Sequence, residues 1–447
     1  MNLNKPALYP GLVLYRCVLW LALPVVMVRL WFRGKRDPLY KPRWRERFGF
    51  YSCKITCGGL WFHTVSAGES IAAAPMIREI ARGEGETPNE RPILVTTMTP
   101  TGSEQVKALL GDCVDHCYAP YDFTFAVRRF LAHAKPQALV LMETEIWPNL
   151  ILEAKAQGIP VVLLNARLSP RSARGYRRFS WLGKRVLSAF DTIACQTQEH
   201  AQRFAELGVS TKRLQVLGNV KFDLDLPKDL SARVTQLQAR ISESQTRSWI
   251  AASTHAGEEE WVLRVHQQML QTVPNLMLWL APRHPNRVSE LTPLLDRFAG
   301  QMPGGWCRYS DLLDETQLAT AKTSVVVVDQ MGVMMPLYEL AEVAFVGGSL
   351  VAHGGHNPIE PASLRTPVLT GPYYFNFAQV YTDLMQAGAS QIVDQDSLEE
   401  VLLGLLEQSE QRLAMGNAGS QVVAANQGAK HRSISLIKSV LSAAIHA

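Results

Sequence analysis

The chain contains 447 residues, a length that accommodates two or three domains of about 100–200 residues each. Hydrophobic residues make up 47% of the sequence and charged residues 19%, which excludes a disordered chain because this composition provides a large core. The seven cysteines are scattered and odd in number, which argues against a secreted disulfide scaffold. We interpret them as packing residues rather than metal ligands.

The net charge of +5 is concentrated at one end of the chain. Residues 1–60 contain 11 Lys or Arg and 2 Asp or Glu, a net charge of +9, whereas the remaining residues contain 34 and 38, a net charge of −4. A nucleic-acid-binding protein carries a broad basic surface. The charge distribution therefore argues against a nucleic-acid partner.

A hydrophobic stretch covers Leu12–Phe32 and is interrupted by Arg16 and Arg29. Its uncharged part, Cys17–Val28, would form a helix about 18 Å long, which is shorter than a bilayer core of about 30 Å. Three interpretations follow: a single span whose arginines reach the headgroups, a helix in the membrane interface, and a buried helix followed by a solvated loop. Seven of the next fifteen residues are Lys or Arg. This favours attachment to an anionic membrane surface, with the rest of the chain on the cytoplasmic side.

Downstream of this stretch, short apolar runs alternate with longer segments of helical pattern. Continuous, β-branched runs of this length are typical of parallel strands covered on both faces, and each is followed by enough chain for a crossover helix. The first series comprises Leu60–Val65, Ile93–Thr97, Ala138–Met142, Val161–Asn165, Thr192–Cys195 and Leu214–Leu217. The second comprises Trp249–Ala252, Leu276–Ala281, Val325–Asp329, Val343–Val346, Pro367–Thr370 and Gln391–Val393. The two series predict two doubly wound α/β domains.

The segment 223–247 between the two series is polar and has no strand signal. We therefore predict an anchor and basic segment at 1–50, a first Rossmann-like domain at 51–225, a linker at 226–247 and a second Rossmann-like domain at 248–447. In such an arrangement the carboxyl ends of the two sheets face a central cleft, where ligands usually bind. The sequence has no Walker loop, and no GxGxxG follows its first strand, which disfavours P-loop NTPases and dinucleotide enzymes.

Acidic residues follow two strands of the first series. Glu69 comes after the first strand, where a carboxylate either caps the next helix or acts as a catalytic base. Glu143 and Glu145 emerge from an apolar strand and share a face at this spacing. They either pair with arginines such as Arg167 or face a substrate. Lys221, at the end of the series, either neutralises a phosphate or is simply solvated.

The second series carries residues suited to an anionic ligand. Ser253, or the residue after it, is predicted to cap a helix whose free amides bind an anion. Arg283 follows a strand and either contacts a phosphate or lies in a surface turn. Glycine pairs within Phe345–Ser349 and Gly354–Pro361 would let the backbone approach a ligand, with phosphate at the next helix start. There, Glu360 is placed to accept hydrogen bonds from ribose hydroxyls.

Seven motifs along the chain carry a resemblance to a known family. They are Ser66-Ala-Gly-Glu69, Thr96-Thr-Met-Thr-Pro-Thr-Gly-Ser103, Met142-Glu-Thr-Glu-Ile-Trp-Pro-Asn149, Asn165-Ala-Arg-Leu-Ser169, Lys221-Phe-Asp223, Pro282-Arg-His-Pro285 and Gly354-Gly-His-Asn-Pro-Ile-Glu360. At these residues the sequence resembles the transferases of 3-deoxy-manno-oct-2-ulosonic acid (Kdo) in lipid A assembly. They are inverting glycosyltransferases with a membrane-anchor helix and the α/β GT-B fold, two Rossmann-like domains facing a central cleft. The resemblance covers nearly the entire chain.

The resemblance implies transfer of Kdo from CMP-Kdo to the tetraacyl lipid A precursor (lipid IVA) in lipopolysaccharide core biosynthesis, with release of CMP. It implies that Glu69 is the general base that deprotonates the acceptor hydroxyl, and that Glu143 and Lys221 stabilise the transition state. It assigns the CMP site to Pro282, Arg283, Met331, Gly332, Val333, Asn357, Pro358, Ile359 and Glu360. Arg283, Lys221 and the helix start after Gly355 would neutralise the departing phosphate, so no metal and no cofactor is expected.

The expected partners are therefore the CMP-Kdo donor, the lipid A precursor and anionic lipids of the cell inner membrane, with the catalytic domains on its cytoplasmic face. Two alternatives stand beside this interpretation. One is another GT-B sugar-nucleotide enzyme, such as an epimerase or a UDP-dependent transferase, which release of CMP would distinguish. The other is a non-catalytic, membrane-bound nucleotide-binding module, which has little use for a base at Glu69.

Overall fold

The structure is a computed structural model that describes residues 10–36, 40, 43–52, 55–83, 91–224, 226–241, 247–313 and 323–445. The chain divides into two units: one comprises residues 1–223 with 427–447, and the other comprises residues 224–426.

The strands of the described residues are, in chain order, β1 (Leu60–His63), β2 (Ile93–Thr97), β3 (Asp115–Tyr118), β4 (Ala138–Met142), β5 (Val161–Ala166), β6 (Thr192–Cys195), β7 (Leu214–Val216), β8 (Arg247–Thr254), β9 (Leu276–Pro282), β10 (Trp306–Arg308), β11 (Val325–Val327), β12 (Val343–Val346), β13 (Val368–Thr370) and β14 (Ser390–Ile392). The α-helices are α1 (Pro10–Arg36), α2 (Ala67–Arg82), α3 (Pro100–Leu110), α4 (Thr124–Ala134), α5 (Pro148–Ala156), α6 (Pro170–Arg178), α7 (Ser180–Leu187), α8 (Gln198–Glu206), α9 (Leu230–Arg240), α10 (Glu259–Met269), α11 (Val288–Ala299), α12 (Tyr309–Leu313), α13 (Met334–Leu340), α14 (Ile359–Ser363), α15 (Ala378–Gln386), α16 (Leu398–Glu407), α17 (Ser409–Asn426) and α18 (Ala429–Ile445).

The sheet of the first unit is parallel, with the strand order β3-β2-β1-β4-β5-β6-β7. Every residue of β1, β2 and β4 is buried because helices cover both faces, which explains their continuous apolar sequences. Leu60 of β1 lies opposite Ile93 of β2 and Ala138 of β4. The chain leaves β1 toward β2 and continues on the other side with β4, so the switch point of this sheet lies between β1 and β4.

The sheet of the second unit is also parallel and seven-stranded, with the order β10-β11-β9-β8-β12-β13-β14. Its switch point lies between β8 and β12. Large apolar side chains fill the core of this unit, among them Trp249, Trp279 and Phe345, which are fully buried. The prediction of two doubly wound parallel domains is confirmed.

Helix α1 lies against the first unit along one of its faces. Leu12 is fully buried in the core, and Leu19 and Leu23 pack against a smaller aromatic cluster. Arg16 donates a hydrogen bond from Nη2 to Oε1 of Glu153 at 2.8 Å, so this arginine pairs within the protein. Among the described residues, α1 is the one helix that is long and apolar enough to cross a membrane. The predicted anchor is therefore a helix that is docked on one side and apolar on the other.

The observed units differ from the predicted domain boundaries at the C-terminus. The sequence assigned 248–447 to one domain, whereas residues 427–447 lie with the first unit. Ile434 and Ile437 of α18 belong to the same apolar cluster as Ile77 of α2. The carboxylate of Asp223 also accepts hydrogen bonds from backbone N–H groups at the start of this segment. The predicted linker 226–247 contains helix α9, which lies in the second unit.

The twelve predicted runs each coincide with a strand, and the prediction missed β3 and β10. Both are edge strands, as the order of each sheet shows. Asp115 and His116 of β3 and all three residues of β10 are not fully buried. An edge strand needs fewer apolar residues than a central one, so neither segment has a continuous apolar pattern.

Candidate active site

Glu69 lies in the first turn of α2, directly after β1. The Ser66 hydroxyl accepts a hydrogen bond from the Glu69 backbone N–H at 3.4 Å and donates one to Glu69 Oε1 at 3.0 Å. Glu69 Oε2 accepts a hydrogen bond from the Val65 backbone N–H at 2.8 Å. This reciprocal arrangement closely resembles a capping box. Glu69 therefore caps helix α2, which was one of its two predicted roles. A role as catalytic base would have to be performed by the same carboxylate that makes these capping hydrogen bonds.

The carboxyl group of Glu69 is poorly solvated, with the residue only 8% exposed. Burial raises the pKa of Glu69 from an ordinary value of 4.5 to about 8, and the negative charges of Glu145 and Glu143 act in the same direction. The hydrogen bonds from Val65 and Ser66 oppose this increase. A carboxyl group with a pKa near neutrality is suited to exchange a proton with a substrate.

Glu143 follows β4, on the other side of the switch point, and both of its carboxylate oxygens are paired. Oε1 lies 2.9 Å from Lys221 Nζ, and Oε2 lies 3.0 Å from Arg167 Nε. The Glu143 side chain is 6% exposed, so these two cations replace most of its contact with water. Its φ of 55° is in the left-handed region, which is strained for a non-glycine residue. The structure thus joins two predicted residues, Glu143 and Lys221, and also forms the predicted pair with Arg167.

The local fold holds Lys221 in this position. Asn165, at the end of β5, accepts on Oδ1 a hydrogen bond from the Val220 backbone N–H at 3.2 Å. Asn219 accepts on its Oδ1 a hydrogen bond from the Lys221 backbone N–H at 3.1 Å. These bonds secure the 3₁₀ turn Val220–Phe222. Lys221 therefore reaches Glu143 from a turn that two asparagine side chains fix.

Glu145 is the third carboxylate of this cluster. The indole Nε1 of Trp147 donates a hydrogen bond to Glu145 Oε2 at 2.6 Å. Burial raises the pKa of Glu145, and the charge of Glu143 contributes to the increase. Trp147 also contacts the buried His63, with ring centroids 5.9 Å apart. We call Glu69, Glu143, Glu145, Arg167 and Lys221 the carboxylate cluster. It lies at the switch point of the first sheet, where ligands bind in doubly wound folds.

In the second unit, the predicted CMP residues lie on three loops that follow β9, β11 and β12. Pro282 ends β9, and Arg283 follows it with a half-buried side chain. Its backbone N–H donates to the Thr254 carbonyl at 3.0 Å. The charge of Arg283 lowers the pKa of Glu360, against a larger increase from burial. The structure therefore brings Arg283 and Glu360 into electrostatic contact.

The loop before α14 is held by one side chain. Asn357 Oδ1 accepts a hydrogen bond from the Ile359 backbone N–H at 3.1 Å, and its Nδ2 donates to Glu360 Oε1 at 3.3 Å. Pro358 and Ile359 are buried between these polar residues. The first amide of α14 is thus already bonded to Asn357, and the phosphate contact at this helix start stays a prediction.

The third loop carries Met331, Gly332 and Val333. Met331 is exposed, Gly332 has a φ of 78°, and Val333 is buried where α13 begins. The Gly332 carbonyl accepts a hydrogen bond from Arg233 Nη1 at 3.3 Å. Helices α13 and α14 pack against each other, so this loop and the one before α14 lie at the same helix pair.

Glu258 binds backbone N–H groups of the glycine-containing loop after β12, where the sequence predicted contact with a ligand. Its Oε1 and Oε2 accept hydrogen bonds at 2.7–3.0 Å from the N–H groups of residues 348–350 and of His255. A Cβ atom at Gly347 would lie 2.9 Å from Glu258 Oε2, so this glycine permits close packing within the protein. The predicted cap at Ser253 is wrong, because β8 continues to Thr254 and α10 begins at Glu259.

Three histidines stack beside this loop. His255 Nε2 lies 2.8 Å from His356 Nε2, and the ring centroids of His255 and His353 are 4.1 Å apart. Burial lowers the pKa of both His255 and His356 to about 4, and Arg283 contributes through its positive charge. The two imidazoles are therefore neutral near pH 7. No group of three or more His, Cys, Asp or Glu side chains in the described part of the chain is placed to hold a metal ion.

Glu258 and Trp147 are site residues that the sequence patterns did not indicate. Glu258 follows the second unit's first strand much as Glu69 follows β1, but no sequence signal indicates its amide partners, which are about 90 residues away. Trp147 lies within the motif Met142–Asn149 and is two residues from Glu145. That proximity was a signal for an indole–carboxylate hydrogen bond.

Comparisons with known proteins place the chain in a family. Residues 42–224 match the family model described as 3-deoxy-D-manno-octulosonic-acid transferase (kdotransferase). The 3-deoxy-D-manno-octulosonic acid transferase of Haemophilus influenzae is 38% identical over 96% of this chain and 98% of that protein. The protein of the same name from Bordetella pertussis is 32% identical over 93% of this chain and 96% of its own length.

The fold also has a solved counterpart. The UDP-GlcNAc 2-epimerase from Neisseria meningitidis, bound to UDP-GlcNAc, matches with a TM-score of 0.54 at 16% identity. The match covers 86% of this chain and 99% of that chain. At this identity the likeness concerns the fold alone, and it confirms the GT-B class. The chain belongs to the 3-deoxy-D-manno-octulosonic acid transferase family of glycosyltransferases.

Proposed function

We propose that this protein is an inverting, metal-independent glycosyltransferase that transfers Kdo from CMP-Kdo to a hydroxyl group of tetraacylated lipid A precursor, lipid IVA. The observation that carries the proposal is the carboxylate cluster, in which a buried Glu69 with a raised pKa accompanies a Glu143–Lys221 ion pair. Membership of the transferase family supports the same donor and the same reaction class.

Glu69 would act as the general base. The acceptor hydroxyl oxygen attacks the anomeric carbon of Kdo, its proton passes to the Glu69 carboxylate, and the bond from that carbon to the CMP phosphate oxygen breaks. CMP leaves with the bonding electron pair, and the configuration at the anomeric carbon inverts. Burial makes the carboxylate of Glu69 a stronger base than a solvated one, which favours this proton transfer.

Lys221 and Glu143 would stabilise the transition state. The Lys221 ammonium group supplies positive charge next to the carboxylates, and Glu143 orients it at 2.9 Å. Arg167, on the other oxygen of Glu143, places a second positive charge beside this buried carboxylate. A preorganised set of charges of this kind does not have to reorient during the reaction.

The second unit would hold CMP. Arg283 would neutralise the charge that develops on the departing phosphate, as a guanidinium binds phosphate oxygens in a bidentate manner. Asn357, Glu360 and the loop Met331–Val333 would contact the nucleotide. The neutral His255 and His356 leave Arg283 as the strongest positive charge among these groups. Neutralisation by side chains supports a reaction that needs no metal ion.

The protein would work at the cytoplasmic face of the inner membrane. The outer face of α1 exposes large apolar side chains, including Leu21 and Val25, and the chain that follows is basic. An exposed apolar helix face next to a basic segment supports binding to a membrane interface with anionic lipids.

A transfer assay tests the proposal. Purified protein is incubated with CMP-Kdo and detergent-dispersed tetraacyl lipid A precursor in the presence of EDTA, and the products are identified by mass spectrometry. We expect a mass gain of one or more Kdo units together with release of CMP. An absence of product beside an active reference transferase would contradict the proposed donor or acceptor, and activity that appears only without EDTA would contradict metal independence.

A further inference from the structure

An apolar pocket of about 530 Å³ opens within the first unit. Leu14 and Val18 of α1, Ile146 and Pro148 of the segment after β4, and residues of α6 and α7 line it. The volume falls in the range of roughly 300–1,000 Å³ that is typical of ligand sites. Since its walls are mainly aliphatic and aromatic, the pocket is suited to an apolar ligand.

This pocket shares a wall with the carboxylate cluster. Ile146 and Pro148 flank Trp147, whose indole donates the 2.6 Å hydrogen bond to Glu145. On the side of α6, Tyr176 lines the pocket and is close enough to Glu145 for the two groups to interact electrostatically. A ligand in the pocket therefore lies next to the segment that carries the catalytic carboxylates.

An apolar stripe on α1 leads to the same pocket. Leu14, Val18, Leu21, Val25 and Val28 recur every three or four residues and are 54–80% exposed. Residues at this spacing lie along one face of a helix. The first two of them line the pocket, so its apolar surface continues without interruption along the exposed face of α1. An apolar chain can pass along this surface without being transferred through water.

Helix α6 combines apolar and basic faces at the pocket. Ser172 and Gly175 line the pocket, and Arg171, Arg174 and Arg178 are exposed on the adjoining face of the same helix. Residues three or four apart share a helix face, so the three arginines form a positive rim. The pocket thus suits a ligand that joins an apolar chain to an anionic head.

We propose that this pocket binds one fatty acyl chain of the lipid acceptor while its anionic sugar head lies beside the carboxylate cluster. The inference rests on the proposed function. It assigns the acyl chain a role in acceptor recognition: the pocket holds the chain, the arginines of α6 meet the negative charge of the head, and the acceptor hydroxyl is brought to Glu69.

Substitutions of Gly175 test the pocket directly. A Cβ atom at Gly175 meets no atom within 4 Å, so Gly175→Ala and Gly175→Leu place increasing volume in the pocket without a clash at the backbone. Both residues favour a helix more than glycine does, so we expect α6 to persist. Gly404→Leu is the matched control, because Gly404 also lies within a helix with open space around its Cβ position.

The measured quantity is the ratio of kcat/KM for tetraacyl acceptor to kcat/KM for the same sugar head after chemical removal of its acyl chains. We expect Gly175→Leu to lower this ratio by about tenfold, the factor that corresponds to lost burial of roughly two methylene groups. Gly175→Ala should lower it less, and Gly404→Leu should leave it at the wild-type value.

The assay tests the proposed function and the pocket assignment separately. Absence of transfer by the wild-type protein would overturn the proposed function and this inference with it. Wild-type transfer with an unchanged ratio in folded Gly175→Leu would overturn the pocket assignment alone. Weaker binding of Gly175→Leu to phosphatidylglycerol vesicles without a change in the ratio would show that the pocket takes bulk membrane lipid, which also overturns it.

Discussion

The carboxylate cluster and the loops of the second unit occupy equivalent places in two similar sheets, yet they are built differently. In the first unit, ion pairs between distant segments hold the site, as in the contact of Glu143 with Lys221 and Arg167. In the second unit, side chains bind backbone amides instead: Glu258 holds residues 348–350, and Asn357 holds the start of α14.

This difference indicates different tasks. Burial and the neighbouring charges of Glu145 and Glu143 raise the pKa of Glu69, so the first site is suited to proton transfer. Loops whose amides are already bonded keep their shape, and they present a cation, Arg283, beside neutral histidines. The second site is therefore suited to bind an anion. Substitutions in the first unit should reduce kcat, and those in the second unit should weaken donor binding.

The largest effect is expected for Glu69→Gln. Glutamine can keep the hydrogen bonds of a capping box but cannot accept the acceptor's proton, so kcat should fall by about a thousandfold while the fold persists. Initial rates of Kdo transfer and thermal unfolding by circular dichroism measure the two effects. Glu104→Gln, at an exposed position in α3, is the control. A folded Glu69→Gln protein that keeps more than about a tenth of the activity would contradict the assignment of the base.

Arg283→Ala should have the next largest effect, mainly on the donor. Loss of a charge-assisted hydrogen bond to phosphate should raise KM for CMP-Kdo and the inhibition constant of CMP by about thirtyfold. Steady-state kinetics with CMP as inhibitor measure both values. Arg297→Ala is the control, because the exposed Arg297 pairs with Glu260 of the same unit. If kcat fell while both constants were unchanged, Arg283 would not be a donor-binding residue.

Lys221→Met should lower both activity and stability. Glu143 would keep only Arg167, so the free energy of unfolding should fall by about 2 kcal/mol and the rate by about tenfold. Adding Glu143→Gln should restore most of the stability and none of the activity, because it removes the buried charge without restoring the cation. Urea unfolding and transfer rates measure these effects. Lys155→Met is the control, because the Lys155 side chain is 25% exposed, close to the 22% of Lys221, and pairs with the more exposed Asp191. If the double variant regained activity as fully as it regained stability, Lys221 would have a structural role only.

The smallest effect concerns pH. Because the base is active only when deprotonated, kcat/KM should rise about tenfold per pH unit below an apparent pKa of Glu69 near 8 and level off above it. Glu145→Gln removes a negative charge, so this midpoint should move to lower pH by less than about one unit. A pH–rate profile measures the shift, and Glu104→Gln should leave the midpoint in place. A midpoint that moves upward would contradict the electrostatic coupling.

The same raised pKa has a consequence for stability. The folded protein binds the Glu69 proton more tightly than the unfolded chain does, so this carboxyl favours folding at low pH. Its contribution is lost as the pH rises from the ordinary value of 4.5 to about 8. The Glu69→Gln variant should therefore lose less stability than the wild type over this pH interval, which urea unfolding at several pH values measures.

The central strands could be predicted from the sequence because strands covered on both faces are continuous apolar runs, as in β4 and β9. Two of the four edge strands of the described residues, β3 and β10, could not, since charged residues such as Asp115 and Arg308 are tolerated where a strand has no neighbour on one side. The acidic residues after β1 and β4 could also be recognised from the sequence as candidate site residues, because each follows a continuous apolar run. They interrupt an apolar pattern at the carboxyl ends of strands, where a charge needs a partner or a ligand.

What the sequence alone determined is local: the alternation of buried strands and helices, the apolar N-terminal helix and the positions of Glu69, Glu143 and Arg283 after strands. Burial patterns and caps involve neighbours a few residues apart, so they can be read from the chain. Only the tertiary structure decided which residues pair with Glu143, that Glu258 binds amides about 90 residues away, and that 427–447 lies with the first unit. Desolvation and Coulomb interactions depend on distances in space, and these are set only when distant segments pack together.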